Sequence, residues 1–520
     1  MKTSLVKIIL PAAIIATAAA SARAAESIAL KKAEKTVFNV SVDSVNVKVT
    51  RYVDNYVTAP NRPEDQKINI YIPEGATRFS PIIFLVNNAG WMANRFPENT
   101  IRESADYDGT NDKIGVALRE KYVIVSYGAR SRADRPSEGL YLGHSPATVT
   151  DTKAAIRYLR HNRKALPAGD TDRIIVTGTS GGGALSTLIA ASGNSPDFFP
   201  YLYEIGAAGI VRNPDGSYAS VEGVGDNVFA CISYCPITDL GHGDAAYEWL
   251  YNDVRKALYM SGNMDFRFAD ESVIMAASDY LAGLYGDYVD GLGLRDERGE
   301  ALLSSNLGDF IARLMEKEIS ESIAEYGIER MKKDVGEQNG WLVFNEDGTF
   351  RYDLRKHLYY VALHTPLKPA PSFSNLGLYG IRMNEDNLFG SPADEYCPFN
   401  PYSWENDRVA NNVGRDDTGL GWEEFLGTDA GKELLLQLKM TCSMDYIIEG
   451  ESDTAPYWYV RHGMNDRDAS WAVEATLFAS VMNSHKVRGH NLGFAWFKPH
   501  AGDYDVPEAY GWLKGILTGR

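Results

Sequence analysis

Short runs of apolar and β-branched residues alternate, along the first half of the chain, with stretches of helical periodicity. Val37–Thr50 and Lys67–Pro73 read as strands, the first valine-rich with period-two alternation. Pro81–Val86 and Tyr122–Tyr127 are short apolar runs that stop at Asn87-Asn88-Ala89-Gly90-Trp91 and at Gly128. Asp151–Asn162 reads as a helix with Ala154, Ala155, Ile156, Tyr158 and Leu159 on its apolar side. Arg173–Thr177 and Val228–Tyr234 predict two further strands, and a helix is expected from Gly183 to Ala191.

The rhythm breaks at Ile237. From there to Lys439 the pattern is mostly helical, with Ser305–Lys333 the longest candidate and a hairpin signal at Asn345-Glu346-Asp347-Gly348. Pro456–Arg461 and Gly493–Lys498 then resume strand character around a helix from Ser470 to His485. Strands alternating with helices predict an α/β fold with a mainly parallel sheet, and functional groups then gather at the strand C-terminal ends. An insertion of roughly 200 residues after about the sixth strand is too long for a loop. The expected division is a core of residues 25–236 and 440–520 with a large, mostly helical lid domain, 237–439, inserted between them.

Residues 1–24 have the layout of a secretory signal. Lys2 and Lys7 precede the apolar stretch Ile8–Ala20, and Ala22-Arg23-Ala24 fits a small-x-small cleavage site. The mature chain is therefore expected to be exported, to the periplasm or beyond. No later segment reaches the ~18 apolar residues that span a bilayer, so no membrane anchor is expected. The net charge of −17 becomes more acidic once Lys2, Lys7 and Arg23 are removed. Such a chain is a poor partner for nucleic acid or an anionic membrane surface. Of the four cysteines, Cys231 and Cys235 lie about 13 Å apart at strand rise, too far to bond each other. Pairing with Cys397 or Cys442 stays open. No C-x-x-C occurs, so neither a zinc nor a redox site is expected, and no cofactor.

The run Gly178-Thr179-Ser180-Gly181-Gly182 fits G-x-S-x-G between a predicted strand and a predicted helix. A serine at such a turn is held in a strained backbone with its hydroxyl exposed. Acyl transfer by serine needs a base, and the base needs an orienting group. Asp466 follows the penultimate predicted strand and His500 follows the last, so Ser180, Asp466 and His500 can converge on one sheet edge. Rivals are Asp468 and Asp503 for the acid and His462, His485 and His490 for the base; His462 lies near the strand, where core histidines are common. The backbone N–H groups of Gly181 and of Gly90, or a neighbour of Gly90 in the loop after Val86, are the candidates for holding an oxyanion.

These residues resemble the bacterial tannase family, exported or cell-bound tannin acyl hydrolases with an α/β-hydrolase core and a large lid. The resemblance rests on Gly178–Gly183, Cys235-Pro-Ile-Thr-Asp-Leu240 with Ala246-Tyr-Glu-Trp249, Thr365-Pro-Leu-Lys368, Glu385-Asp-Asn-Leu-Phe-Gly390, Tyr459–Asp468 and His500 with Asp503-Tyr-Asp505. It implies a catalytic triad of Ser180, Asp466 and His500. It also implies that Lys368, Glu385 and Asp468 bind the phenolic hydroxyls of a galloyl group. The cysteines that fungal tannases and feruloyl esterases place beside serine and histidine are here Thr179 and Pro499, so that subtype is not expected. The expected activity is hydrolysis of galloyl or related phenolic esters. A feruloyl or general aryl esterase and a catalytically dead binding scaffold are the alternatives.

Overall fold

The computed structural model describes residues 28–132, 134, 139–264, 269–336, 340–381, 384–407 and 418–519. The expected signal segment lies outside them. The strands are β1 (Glu34–Val42), β2 (Val45–Asn55), β3 (Lys67–Pro73), β4 (Ile82–Val86), β5 (Asp106–Tyr107), β6 (Val123–Tyr127) and β7 (Ile174–Thr179). They continue with β8 (Ile210–Arg212), β9 (Tyr218–Ser220), β10 (Ala230–Tyr234), β11 (Leu342–Phe344), β12 (Phe350–Tyr352), β13 (Tyr457–Gly463) and β14 (Gly489–Ala495).

Ten of these form one sheet in the order β14-β13-β10-β7-β4-β6-β3-β2-β1-β5. Neighbours from β14 to β6 are parallel. β3, β2 and β1 extend it antiparallel. The two remaining pairs, β8–β9 and β11–β12, are separate hairpins.

Side-chain alternation explains why helices cover both faces. Ile82, Phe84 and Val86 of β4 join one apolar cluster with Ala154, Ile156 and Leu159 of the helix Ala147–His161 and Leu185 and Leu188 of the helix Gly181–Ala191. Ile83 and Leu85 point the other way, to Val116 and Leu118 of Lys113–Arg119 and to Val506, Ala509 and Leu513 of Val506–Thr518. β4, β6 and β10 are buried at every position, as central parallel strands must be.

Three elements differ from the sequence reading. Val37–Thr50 is not one strand: Asp43 and Ser44, at φ 50° and 64°, turn the chain into the β1–β2 hairpin. The long helical candidate is two helices, Ser304–Tyr326 and Ile328–Val335, broken at Gly327 with φ 80°. The last strand starts four residues earlier than expected, because Gly489–Ala495 pairs in register with Tyr457–Gly463. With the hairpin and the short β5 counted, eight main-sheet strands precede the insertion.

Between Tyr234 and Tyr457 the chain adds no described strand to this sheet. Its helices share the apolar cluster of the sheet, and the segment holds a second, smaller one, Ile274, Ala277, Leu281, Ala370 and Tyr402, to itself. Leu307, Phe310, Ile311, Met315 and Ile319 belong to the same apolar cluster as Phe478 and Phe494, which lie beside β13 and on β14. Among the described residues no helix is long and apolar enough to cross a membrane. All four cysteines are buried and none is in a disulfide.

Candidate active site

Ser180 sits at the carboxyl end of β7 with φ 62° and ψ −126°, a conformation L-residues rarely adopt, and the helix Gly181–Ala191 starts immediately after it. Its N–H donates to Tyr234 O at 2.9 Å, which pins the turn to the end of β10. The turn has no room for larger residues. A Cβ on Gly181 would lie 2.2 Å from Trp91 N, 2.5 Å from Asn88 O and 2.9 Å from Gly90 N. The loop after β4 is thus packed directly on the first residue of the helix.

The other two residues arrive on loops stitched to each other. Asp466 N–H donates to Gly463 O at 3.1 Å, and Asn465 N–H donates to Lys498 O at 2.8 Å. A Cβ on Gly502 would sit 2.0 Å from Thr179 Oγ1, so the segment carrying His500 folds closely over the serine turn. His500 Nε2 lies 2.9 Å from Ser180 Oγ, and His500 Nδ1 lies 2.7 Å from Asp466 Oδ2. Two of the rivals, Asp503 and His490, are placed elsewhere. Asp503 pairs with Lys113 at 2.8 Å, and His490 is near the opposite, amino end of β14.

Asp466 is fully buried. Burial alone would push its carboxyl up, but the neighbouring His462 and the bond from His500 outweigh it and hold the pKa at about 2. His462 is more than a core histidine. Its imidazole is wholly buried, with Nε2 3.4 Å from Asp466 Oδ2 and Nδ1 3.4 Å from Glu474 Oε1. Burial opposes its charge, yet the two carboxylates raise its pKa above the ordinary value. Burial raises Glu474 in turn. A sequence of polar groups therefore runs inward from Ser180 through His500, Asp466 and His462 to Glu474.

Cys235 is the residue that a reading of strands alone passed over. With Asp466 and His500 it forms the described group in which metal-ligand atoms all lie within 4.8 Å of one another. Burial lifts its thiol well above the usual range, and Sγ contacts Ala501 O at 3.3 Å.

Lys368, Glu385 and Asp468 all connect to this site. Asp468 N–H donates to Asp466 Oδ1 at 2.7 Å, and its carboxylate pairs with Arg467 at 2.8 Å. Tyr247 donates to Arg467 O at 2.8 Å and accepts from the Lys368 N–H at 3.3 Å. The Lys368 ammonium lies 4.3 Å from the Phe373 ring centroid. Glu385 is buried on the other side, where Arg132 Nη2 donates to its Oε1 at 3.1 Å. Arg132 escaped the sequence reading because it lies in no motif, and Tyr247 entered it only as part of Ala246-Tyr-Glu-Trp249, with no role of its own.

A strained serine at a strand–helix turn, followed in chain order by an acid and a histidine at later strand ends of a mixed, mainly parallel sheet, defines an α/β-hydrolase. The comparisons agree. A family described as BD-FAE matches residues 68–270. No curated protein matches. A tannin acyl hydrolase solved with 3,4-dihydroxybenzoate is 26% identical, with TM-score 0.74, over 93% of this chain and 97% of that one. The tannase of Fusobacterium nucleatum is 28% identical, with TM-score 0.71, over 93% and 98%. A tannin acyl hydrolase in complex with ethyl gallate is 26% identical, with TM-score 0.72, over 93% and 97%. The chain is a carboxylic ester hydrolase that follows the bacterial tannase architecture along almost its whole length.

Proposed function

We propose that this protein is an exported serine esterase that hydrolyses galloyl esters. The observation that carries the reading is the unbroken line Ser180 Oγ, His500, Asp466, at 2.9 and 2.7 Å. With Nδ1–H facing the carboxylate, Nε2 is free to accept the serine proton. Ser180 Oγ attacks the ester carbonyl as its proton passes to His500 Nε2. Asp466 stays ionised at any working pH above about 2 and stabilises the imidazolium that forms. The N–H groups of Gly181 and Gly90 hold the oxyanion, each such donor being worth about 10²–10³ in kcat. The intermediate collapses, His500 returns the proton to the leaving alkoxide, and alcohol departs. Water then gives its proton to His500 and attacks the acyl-enzyme, and the collapse releases gallate and restores Ser180.

The acyl ring is read by charge. Phenolic hydroxyls donate to Glu385 and Asp468, and the Lys368 ammonium, which among the described residues has no acid partner, donates to phenol oxygens. The ligands named in the related structures, ethyl gallate and 3,4-dihydroxybenzoate, carry these groups. Export rests on the signal-like residues 1–24.

A site built to bond hydroxyls leaves its own groups unpaired when they are missing, so discrimination can reach about 10⁴-fold. Methyl gallate should be cleaved fastest, methyl protocatechuate more slowly and methyl benzoate barely. Equal kcat/KM for gallate and benzoate esters rejects the galloyl reading and leaves a general aryl esterase. Absence of labelling at Ser180 by a fluorophosphonate rejects catalysis by this serine altogether.

A further inference from the structure

Arg132 follows β6 and is 4% exposed. Its guanidinium makes three bonds to two different parts of the chain. Nε donates to Gly90 O at 2.5 Å, Nη1 to Asn384 O at 2.7 Å and Nη2 to Glu385 Oε1 at 3.1 Å. Its backbone is committed to the same loop: Ala93 N–H donates to Arg132 O at 3.1 Å, and Met92 and Arg132 form a parallel bridge. Ser131 Oγ adds a bond to Trp91 O. The turn that carries Gly90 is therefore held by one planar fork that also holds the turn carrying Glu385.

Neither half of this arrangement is explained by packing alone. Gly90 has φ 57°, and its N–H lies beside the start of the Gly181 helix, so the orientation of this turn decides whether the N–H reaches an oxyanion. Glu385 is 8% exposed, and its Oε1 is held by the Arg132 guanidinium. Because Oε1 takes the Arg132 bond, Oε2 is the oxygen left for the ring hydroxyl.

We infer that Arg132 is a positioning residue that couples recognition of the acyl ring to stabilisation of the oxyanion. The inference rests on the galloyl reading above for the identity of the group that Glu385 meets. The physical basis is the rigidity of the fork. Five N–H donors in a fixed plane hold three acceptors at once, whereas lysine offers a point charge that satisfies one of them at a time. A hydroxyl docked on Glu385 then fixes the fork, and the fork fixes Gly90. Ring hydroxyls contribute to kcat by this route and not only to binding.

The test uses the full-length enzyme, the substitutions R132K and E385Q, and two substrates: methyl gallate, and 4-nitrophenyl acetate, whose acyl group has no ring. R132K should lower kcat for methyl gallate by about 10²-fold, a loss of the size seen when a donor is misplaced by about 1 Å, with a smaller change in KM. It should also slow acetate release. E385Q should slow turnover of the acetate several-fold, although Glu385 has nothing on that substrate to touch. The double variant should be little worse than R132K, because the two residues act through one fork. An unchanged acetate kcat in E385Q, or losses that multiply in the double variant, overturns the inference. Should R132K fail to fold, the E385Q acetate measurement decides alone. Failure of the galloyl reading is separately visible, as equal rates of wild-type enzyme on gallate and benzoate esters.

Discussion

Replacing Gly181 by alanine adds one methyl group where the site is walled by backbone. The new Cβ would be 2.2 Å from Trp91 N and 2.5 Å from Asn88 O, both backbone atoms with no flexible side chain to yield. Ordinary contact begins near 3.4 Å, so the loop after β4 must retreat by about 1 Å. That loop carries Gly90. A shift of that size costs about 10² in rate for a positioned group, and complete loss of an oxyanion donor costs about 10²–10³. We expect kcat on methyl gallate to fall by about 10²–10³ with KM changed far less. Overpacking itself should cost about 1–3 kcal/mol of stability. Gly193→Ala supplies the control: its Cβ would sit 2.5 Å from Asp453 O and 2.8 Å from Asn227 Cα, a clash of similar severity just beyond the other end of the same helix. The assay is steady-state kinetics beside thermal unfolding of both variants. Native-like folding of Gly181→Ala with kcat within about three-fold of wild type would refute the reasoning, as would an equal loss of kcat in Gly193→Ala.

Ser180→Ala and His500→Ala should each lower kcat by about 10⁴-fold or more, and the double variant should lose little beyond either, because the residues act as a unit; multiplying losses would be inconsistent with one proton path. Asp226 is buried between Lys153 at 2.8 Å and Arg157 at 2.6 Å, so Asp226→Asn leaves two buried cations uncompensated and should cost about 3–5 kcal/mol in urea unfolding. Burial opposes the Asp226 charge, but these cations hold its pKa at about 2, below the value of about 3.9 in an unfolded chain. Its stabilisation is thus complete above about pH 4 and lost as pH falls through 2, so the stability gap between wild type and Asp226→Asn should narrow over that window. Because Cys231, Cys235, Cys397 and Cys442 are buried thiols outside any disulfide, a thiol reagent should titrate four groups in denatured protein and almost none in native protein.

The candidate site was legible in the sequence where chemistry coincides with strand ends. Ser180, Asp466 and His500 each follow β-type runs, and the structure brings all three within hydrogen-bond distance. The apolar run of β4 and the largely apolar β6 and β10, each with a single serine, were equally plain. What was hidden depended on backbone conformations that side-chain patterns do not encode. Asp43 and Ser44 make a tight hairpin without the glycine that usually marks one. Gly327 ends a helix inside a continuous helical pattern. His462 read as a core histidine, and its place between Asp466 and Glu474 depends on the helix Trp471–Asn483 packing behind β13. Arg132 was invisible because its partners lie about 40 and 250 residues away, and single-sequence periodicity carries no such information.

The break in strand order between β10 and β13 has a consequence for how the chain reaches this state. The two strands are adjacent in the sheet but separated by about 220 residues. Closing so long a segment costs about 2 kcal/mol more entropy than closing a crossover of about 25 residues. The amino-terminal strands and the serine turn can assemble during synthesis from contacts already available. Asp466 and His500 emerge last, and β13 and β14 have no sheet edge to join until β10 is in place. Acquisition of activity should therefore trail acquisition of secondary structure during refolding, and a nascent chain that stops before β13 holds its serine without a base.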